Sequence, residues 1–261
     1  MDFGYTIAGF VVGAIVGLTG VGGGSLMTPL LVLMFHINPS VAVGTDLLYA
    51  AITKSGGAVV HARNGTVNWG VVSRLALGSV PGAALTLWWL SAHAKAGHAS
   101  SGVMTGALGV ALVLTAVAIV FRARVQAFAQ RPRIAAWRAA HTDKATVVVG
   151  IVLGVLVTVS SVGAGALGTA ALVFLFPTLG AGRIVGSDIA HAVPLTLVAG
   201  MGHWWLGNID WFLLGSLLAG SLPGITLGSH VSAHLPERVL RPILACMLLL
   251  IGGKLSMNLI G

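Results

Sequence analysis

The sequence predicts an all-α polytopic membrane protein made of two homologous halves. Hydrophobic residues make up 56% of the 261 residues and charged residues only 8%, with a mean hydropathy of +0.97. Soluble domains carry roughly 25% charged residues, so this composition indicates a chain that faces lipid. Two further observations support the prediction: the chain contains an internal repeat, and a glycine cluster interrupts an apolar segment in each copy.

The first apolar segment, residues 5–35, contains a cluster at 17–25 with the sequence GLTGVGGGS. As one straight helix this segment would be about 45 Å long, whereas the hydrocarbon core of a bilayer is roughly 30 Å thick. Glycine costs about 1 kcal/mol relative to alanine inside a helix, so we expect the cluster to divide the segment into two arms. Lipid cannot satisfy the backbone groups exposed at such a break, so the break must face protein, water or a solute.

Six further apolar segments predict membrane-spanning helices, three in each half. The first of them begins at Asn38 and Pro39, a favourable cap followed by a favourable first-turn residue. His61 and His203 stand at matched helix ends, where we expect a membrane interface. The predicted spans are 38–61, 69–90 and 103–121 in the first half, and 183–205, 210–229 and 239–259 in the second.

A basic segment, residues 122–144, separates the two halves and contains a single acid, Asp143. Clustered Lys and Arg residues favour the cytoplasmic side of a membrane. Few aromatic residues accompany them, so the net charge of +8 does not indicate a nucleic-acid partner. We therefore expect a first transmembrane repeat at 1–121, a cytoplasmic linker at 122–144 and a second transmembrane repeat at 145–261. The basic residues of the linker are Arg122, Arg124, Arg131, Arg133, Arg138 and Lys144.

The two halves repeat one another at a nearly constant spacing. Around the glycine clusters the spacing is 141 residues, and after one inserted residue it becomes 142. Corresponding interrupted segments in two halves of a membrane protein are typical of a transport site. The matched pairs include Gly9 and Gly150, Gly22 and Gly163, Gly24 and Gly165, Asp46 and Asp188, His61 and His203, Trp69 and Trp211, and Pro81 and Pro223.

The relative orientation of the halves depends on what the two broken segments do. If each crosses the membrane once, the halves are parallel; if each is a re-entrant hairpin, the halves are inverted. The inverted arrangement places Arg63, the basic linker and Arg183 together on the cytoplasmic side, in agreement with the positive-inside rule. We therefore predict inverted repeats, each with a glycine-broken re-entrant hairpin and three transmembrane helices.

The two breaks are predicted to bind a small anion. A half-helix begins after each break, near Gly24 and Gly165, and its N-terminus presents free N–H groups and about half a positive charge. Two such ends inside a membrane form an anion site without a full cation. The alternative is that the glycines only permit close helix packing. The candidate binding residues are Thr19, Gly22, Gly23, Gly24, Ser25, Lys54, Ser160, Ser161, Gly163 and Gly165.

Three ionisable residues within the predicted helices are candidates for coupling or gating: Asp46, Asp188 and His191. Charge inside a membrane segment is costly and is usually functional. The aspartates match in the repeat, and His191 shares a helix face with Asp188 and changes charge near neutral pH. The alternatives are that each carboxylate caps the nearby break, that Lys54 only neutralises Asp46, and that His191 is a buried neutral histidine.

The sequence contains no motif for a metal or a cofactor. HExxH and CxxC are absent, and the glycine cluster lacks the lysine of a phosphate-binding P-loop. The single cysteine, Cys246, allows neither an internal disulfide nor a metal site made of cysteines. We therefore predict no catalytic residue, no metal and no cofactor.

The first glycine cluster, the following Leu26 and Pro29, and the later Gly44, Thr45 and Asp46 resemble the sulfite exporter TauE/SafE family of membrane permeases. The resemblance covers essentially the whole chain. It implies a secondary transporter that moves a small sulfur-containing anion, such as sulfite or an organosulfonate, outward across the cytoplasmic membrane. The second copy departs from the fuller glycine motif of the family, since residues 159–165 read VSSVGAG.

We therefore expect a multi-pass protein of the cell (inner) membrane that is a transporter and not an enzyme. Its expected partners are a small anionic solute and the lipid bilayer, and a homodimer is left open. Two alternatives remain. One is a passive anion channel, and the other is an intramembrane serine hydrolase in which a histidine activates Ser25 or Ser160.

Overall fold

The computed structural model describes residues 3–19, 24–95, 100–232 and 237–257. All regular elements within these ranges are α-helices, in agreement with the predicted fold class. They are α1 Phe3–Thr19, α2 Gly24–Leu33, α3 Pro39–Arg63, α4 Trp69–Lys95, α5 Ser100–Ala129, α6 Pro132–Ser160, α7 Ala166–Leu175, α8 Ala181–Trp205, α9 Trp211–Ser232 and α10 Glu237–Met257.

Five of these helices contain a stretch that is long and apolar enough to cross a membrane, judged by length and composition. They are α4, α5, α6, α8 and α9, and the stretch in α6 is Ala140–Ser160. Within the described residues, the predicted spans at 38–61 and 239–259 are not among them, and the apolar stretch of α10 is the shorter Ala245–Leu255. Helix α6 precedes the second break and was not predicted to be long enough to cross. The helices α1 and α7, which border the two breaks, are shorter apolar helices. The chain is thus a multi-pass helical membrane protein.

The basic segment continues the helices on either side of it. α5 extends to Ala129 and α6 begins at Pro132, so residues 122–144 are helical except at the turn between them. Arg138 fastens this turn, because its Nη1 donates to the carbonyl oxygens of Ala129 at 2.9 Å and Phe174 at 3.3 Å. A cation at the ends of α5 and α7 is favourable for the helix dipoles. The cytoplasmic location of the turn stays a prediction.

Glycine residues bring the first helix of each half against the other half. A Cβ atom at Gly13 on α1 would lie 2.6 Å from the carbonyl oxygen of Ser221 on α9. A Cβ atom at Gly82 on α4 would lie 2.9 Å from the carbonyl oxygen of Ile151 on α6. In lipid, helices associate through such close packing, because the surrounding tails are as apolar as leucine. The two halves therefore pack against each other along two glycine-lined seams. One lies between α1 and α9 and contains Gly13, and the other lies between α4 and α6 and contains Gly82.

The central helices α3 and α8 run antiparallel. Gly44 near the start of α3 packs against Asn208, just beyond the end of α8. Gly186 near the start of α8 packs against Thr66, just beyond the end of α3. Because Gly44 and Gly186 correspond in the repeat, α3 and α8 are equivalent helices that point in opposite directions.

Each broken segment turns back on itself. The ring of Tyr5 at the start of α1 lies 5.0 Å from the ring of Phe35, just after α2. In the second half, Arg138 in the first turns of α6 reaches the carbonyl oxygen of Phe174 near the end of α7. In both cases the beginning of the first arm meets the end of the second, which is the geometry of a hairpin. Their position relative to the bilayer stays a prediction.

The two largest apolar clusters of the interior each combine helices of both halves. One joins α1, α2, α3, α5, α9 and α10 and includes the fully buried Met27 and Leu31. The other joins α3, α4, α6, α7 and α8 and includes Leu75 and Leu195. Helix α3 contributes to both clusters, so its polar residues face the middle of the molecule.

Candidate functional site

The break between α6 and α7 has a backbone conformation that favours glycine. The φ angle is 58° at Ser161, 119° at Gly163 and 142° at Gly165. Residues with a Cβ atom rarely adopt such angles, so this part of the chain tolerates few side chains. No side chain caps the N-terminus of α7 at Gly165, which leaves its first N–H groups for another acceptor. The corresponding first break, residues 20–23, lies outside the described residues.

Lys54 reaches the second break from α3. Its Nζ donates to the carbonyl oxygen of Ala164 at 2.6 Å, immediately before the start of α7. The ammonium also interacts electrostatically with Asp188 and Asp46. Among the described residues it forms no direct ion pair with either carboxylate, so its close partner is the carbonyl and not Asp46.

Asp46 is fully buried on α3 and is bound to the second arm of the first hairpin. Its Oδ2 accepts a hydrogen bond of 2.5 Å from the hydroxyl of Thr28 on α2. The hydroxyl of Ser161 approaches the same carboxylate from the second break without completing a hydrogen bond. Asp46 therefore contacts α2 within its second turn, a full turn away from the position of a helix cap.

Asp188 is the counterpart of Asp46 in the repeat, and it faces α7. The carboxylate lies so close to Gly168 that a Cβ atom there would overlap its Oδ1. Its side chain is 2% exposed, and Oδ1 has no hydrogen-bond partner. The two aspartates thus occupy equivalent positions, but Asp46 has a hydroxyl partner that Asp188 lacks.

His191 connects α8 to α4. Its Nε2 and the hydroxyl of Ser79 are 2.8 Å apart, and its Nδ1 has no partner. The same arrangement recurs at a spacing of 142 residues, because Tyr49 on α3 approaches Ser221 on α9. One contact joins α8 to α4, and the other joins α3 to α9. Each central helix is thus connected to a helix of the other half.

A cavity of about 140 Å³ opens between the central helices and the start of α7. For comparison, an apolar cavity of about 150 Å³ accommodates a molecule the size of benzene, so there is room for a small anion. The lining combines polar side chains, glycines and aliphatic side chains. The polar side chains that line it are Tyr49, Thr53, Lys54, Thr169 and Asp188; the glycines are Gly57 and Gly165; the aliphatic residues are Val16, Val185, Ile189 and Ile225.

The structure brings together only some of the residues that the sequence predicted for the site. Lys54, Gly165 and Asp188 line one cavity. Gly163 is buried in the break beside this cavity. The hydroxyl of Ser160 instead donates to the carbonyl oxygen of Leu156 at 2.6 Å and does not line the cavity. The hydroxyl therefore stabilises the end of α6, because it donates to a carbonyl oxygen near the last turn of the helix.

The predicted residues of the first break are described only in part. Thr19 ends α1, Gly24 begins α2, and the side chain of Thr19 is not described. Ser25 is buried in the first turn of α2. Gly22 and Gly23 lie outside the described residues. Their predicted role in binding stays a prediction.

Sequence reasoning missed several polar residues of the candidate site, including Thr53, which lines the cavity. Four others contact the site or its ionisable residues. They are Thr28, Tyr49, Ser79 and Thr169. The repeat could have identified two of them. At the spacing of 142 residues, Tyr49 corresponds to His191 and Ser79 corresponds to Ser221. The prediction that His203 lies at a membrane interface was wrong. Its side chain is fully buried, and its Nε2 lies 2.9 Å from the carbonyl oxygen of Thr158.

The fold and the site define a class of protein: a multi-pass helical membrane transporter, with a small cavity beside an interrupted helix. The family model described as Sulfite exporter TauE/SafE matches residues 5–255, and the chain belongs to this family.

Two relatives of the chain are named as probable membrane transporters. The Probable membrane transporter protein YjnA of Bacillus subtilis (strain 168) is 39% identical over 255 residues, which cover 98% of this chain and 100% of that protein. The Probable membrane transporter protein YdhB of the same organism is 29% identical over 251 residues, which cover 92% and 97%. No solved structure matches the chain.

Proposed function

We propose that the protein is a secondary transporter that exports a small sulfur-containing anion, sulfite or an organosulfonate, across the cytoplasmic membrane. Membership of the TauE/SafE family supports the sulfur anion, and the names of the relatives support a membrane transporter. The anion is bound between the half-helix N-termini that follow the two breaks. The basic linker at 122–144 lies in the cytoplasm, and the two halves are inverted in the bilayer.

The observation that carries the proposal is the position of Lys54 at the start of α7. Its ammonium is 2.6 Å from the carbonyl oxygen of Ala164, and it lines the same cavity as Gly165. An anion in this cavity meets a full positive charge and the positive end of a helix. The hydroxyl of Thr169 also lines the cavity, but it donates to the carbonyl oxygen of Ala166 at 3.1 Å. A partly buried cation beside an uncapped helix start inside a membrane segment is costly and is usually functional.

The antiparallel helices α3 and α8 support a carrier that alternates between two openings. Because equivalent helices point in opposite directions, exchanging the conformations of the two halves would reverse which side of the site is open. The candidates for coupling proton movement to this exchange are Asp46, Asp188 and His191. Ser160 gives no support to a serine hydrolase, since its hydroxyl is engaged with backbone atoms.

Counterflow in proteoliposomes tests this function. Vesicles loaded with an unlabelled anion and diluted into the labelled anion should show transient accumulation, which a carrier produces and a passive channel does not. The panel is sulfite, thiosulfate, sulfate, sulfoacetate, taurine and isethionate. Failure of every sulfur anion contradicts the substrate class, and uptake without counterflow favours an anion channel.

A further inference from the structure

The charges around the cavity do not balance for an anion. Lys54 is the ammonium beside it, and it interacts with both Asp188 and Asp46. With both carboxylates ionised, this group carries a net charge of −1, and a bound monoanion would make it −2. Burying charge of one sign is very costly in a low-dielectric interior, so binding requires a compensating positive charge.

The surrounding helices provide no second cation beside Asp188 within the described residues. α7 carries no titratable side chain, the described part of α9 up to Gly228 carries none, and α1 carries only Tyr5. Near the middle of the helices the titratable neighbours are Tyr49, Lys54 and His191. The others lie toward helix ends: His61 and Arg63 on α3, Arg74 and His93 on α4, Arg183 and His203 on α8, and Arg133, Arg138, His141, Asp143 and Lys144 on α6.

The two carboxylates differ in their freedom to accept a proton. Asp46 is held by the hydroxyl of Thr28 at 2.5 Å and does not line the cavity. Asp188 lines the cavity, is 2% exposed, and has no hydroxyl partner of this kind. The Oδ1 atom lacks a hydrogen-bond partner in both carboxylates. A protonated carboxyl group gains a donor, which an anion beside it can accept. Asp188 is the carboxylate that lines the cavity, so it is the group that gains from a proton when the anion arrives.

We propose that Asp188 takes up one proton for each monoanion bound, so that anion and proton cross the membrane together. The proton comes from water on the side where the anion enters, binds the Asp188 carboxylate, and returns to water on the side where the anion leaves. No covalent bond of the anion forms or breaks. The inference rests on the proposed function, and it makes transport of a monoanion electrically neutral. Net export then occurs when the anion gradient exceeds the opposing proton gradient.

Isethionate is the probe for this inference, because its sulfonate keeps a single negative charge over the whole pH range. Proteoliposomes with the membrane potential clamped at zero are placed in medium one pH unit more acidic than their lumen. Symport of one proton with one monoanion predicts accumulation of about tenfold at equilibrium. Asp188→Asn should retain counterflow of isethionate and lose accumulation driven by the pH difference.

Three comparisons make the result specific. Asp143→Asn removes an exposed carboxylate that pairs with Arg74 away from the cavity, and should behave as wild type. Asp46→Asn and His191→Gln should both retain a response to the pH difference, whatever their rates. Loss of the response in either of these variants, with an intact response in Asp188→Asn, would overturn the assignment to Asp188.

A second measurement does not depend on a variant that folds. Calorimetric titration of the wild type with isethionate at neutral pH, in buffers of different ionisation enthalpy, should report uptake of about one proton per anion, the number that the proposed exchange requires. If isethionate counterflow occurs without proton uptake and without accumulation, the inference is wrong and the proposed function stands. If the wild type exchanges no anion of the panel, the proposed function itself is wrong.

Discussion

Lys54 and Ala164 belong to different halves of the chain, yet the Nζ of Lys54 lies 2.6 Å from the carbonyl oxygen of Ala164. The contact places a cation from the middle of α3 at the break that precedes α7. A solute at the start of α7 therefore meets the ammonium and the helix N-terminus together. The site is consequently a property of both halves, since neither half contains it alone.

Replacing this cation should remove transport. Lys54→Met is expected to lower counterflow by about tenfold or more, because a charge-assisted hydrogen bond is worth roughly 1.5–3 kcal/mol. Lys54→Arg should recover only part of the rate, since a planar guanidinium does not replace a compact ammonium. Lys144→Met removes an exposed lysine and is the matched control. Normal counterflow by a folded Lys54→Met protein would contradict a role for Lys54 in binding.

Gly168 is expected to be essential for the position of Asp188. The Cβ atom of Gly168→Ala would overlap Oδ1 of Asp188, so the carboxylate or α7 must move. We expect counterflow to fall by about tenfold, in line with roughly 1–3 kcal/mol for overpacking a buried contact. Gly215→Ala on α9 meets no atom within 4 Å and should leave counterflow unchanged. Equal rates for the two variants would show that this contact does not matter.

The glycine seam between α1 and α9 should be sensitive to a single methyl group. In Gly13→Ala the new Cβ atom would lie 2.6 Å from the carbonyl oxygen of Ser221, and we expect a loss of about 1–3 kcal/mol in the free energy of unfolding. Gly56→Ala on α3 has open space around it and should be neutral or stabilising by up to about 1 kcal/mol. Denaturant unfolding in detergent measures both. A Gly13→Ala protein as stable as Gly56→Ala would refute the importance of the seam.

The hydrogen bond between Thr28 and Asp46 should contribute to stability. Thr28→Val leaves a fully buried carboxylate without its hydroxyl partner, and we expect a cost of about 1–3 kcal/mol in the free energy of unfolding. Thr28→Ser keeps the hydroxyl and should restore most of the loss. If serine and valine destabilise the protein equally, the lost methyl packing and not the hydrogen bond explains the effect.

The cytoplasmic location of the basic turn can be tested by labelling. Cys246 is exposed, so a Cys246→Ser background is needed before a cysteine is introduced at the exposed position 133. Arg133→Cys should react with a membrane-impermeant maleimide in inverted vesicles and not in intact cells, because basic segments stay in the cytoplasm. Labelling in intact cells would place the turn outside and reverse the predicted orientation.

Much of the fold could be predicted because a membrane limits the choices. A long apolar run of low charge must be helical in lipid, and three consecutive glycines within such a run must interrupt the helix. The matched aspartates were identified because charge is rare in such segments. The end of α5 is predicted at 121 because basic residues suggest a loop, whereas the helix extends to Ala129, whose carbonyl oxygen accepts from Arg138.

The candidate site was harder to predict than the helices. Ser160 and Ser161 are adjacent in sequence, but the hydroxyl of Ser160 binds the backbone of α6 while that of Ser161 points toward Asp46. A backbone turn through the left-handed region at Ser161 separates them. His203 resembled an interfacial residue because it ends a helix, yet it is buried against Thr158. Neither outcome follows from the local sequence, since each depends on a neighbouring helix.

The sequence by itself determined that this protein is a helical membrane protein of two repeated halves, each with a glycine-broken segment and one intramembrane aspartate. These features depend on composition and on spacing along the chain. Because lipid cannot hydrogen-bond the backbone, apolar runs must be helical and breaks must be covered by protein or water. Only the tertiary structure decided that Lys54 meets Ala164, that Asp188 faces Gly168 and lines the cavity, and that α3 and α8 run antiparallel. Contacts between residues more than a hundred positions apart depend on how the helices pack. In lipid, helices pack where small residues let two backbones approach closely, and the sequence does not show which helix meets which.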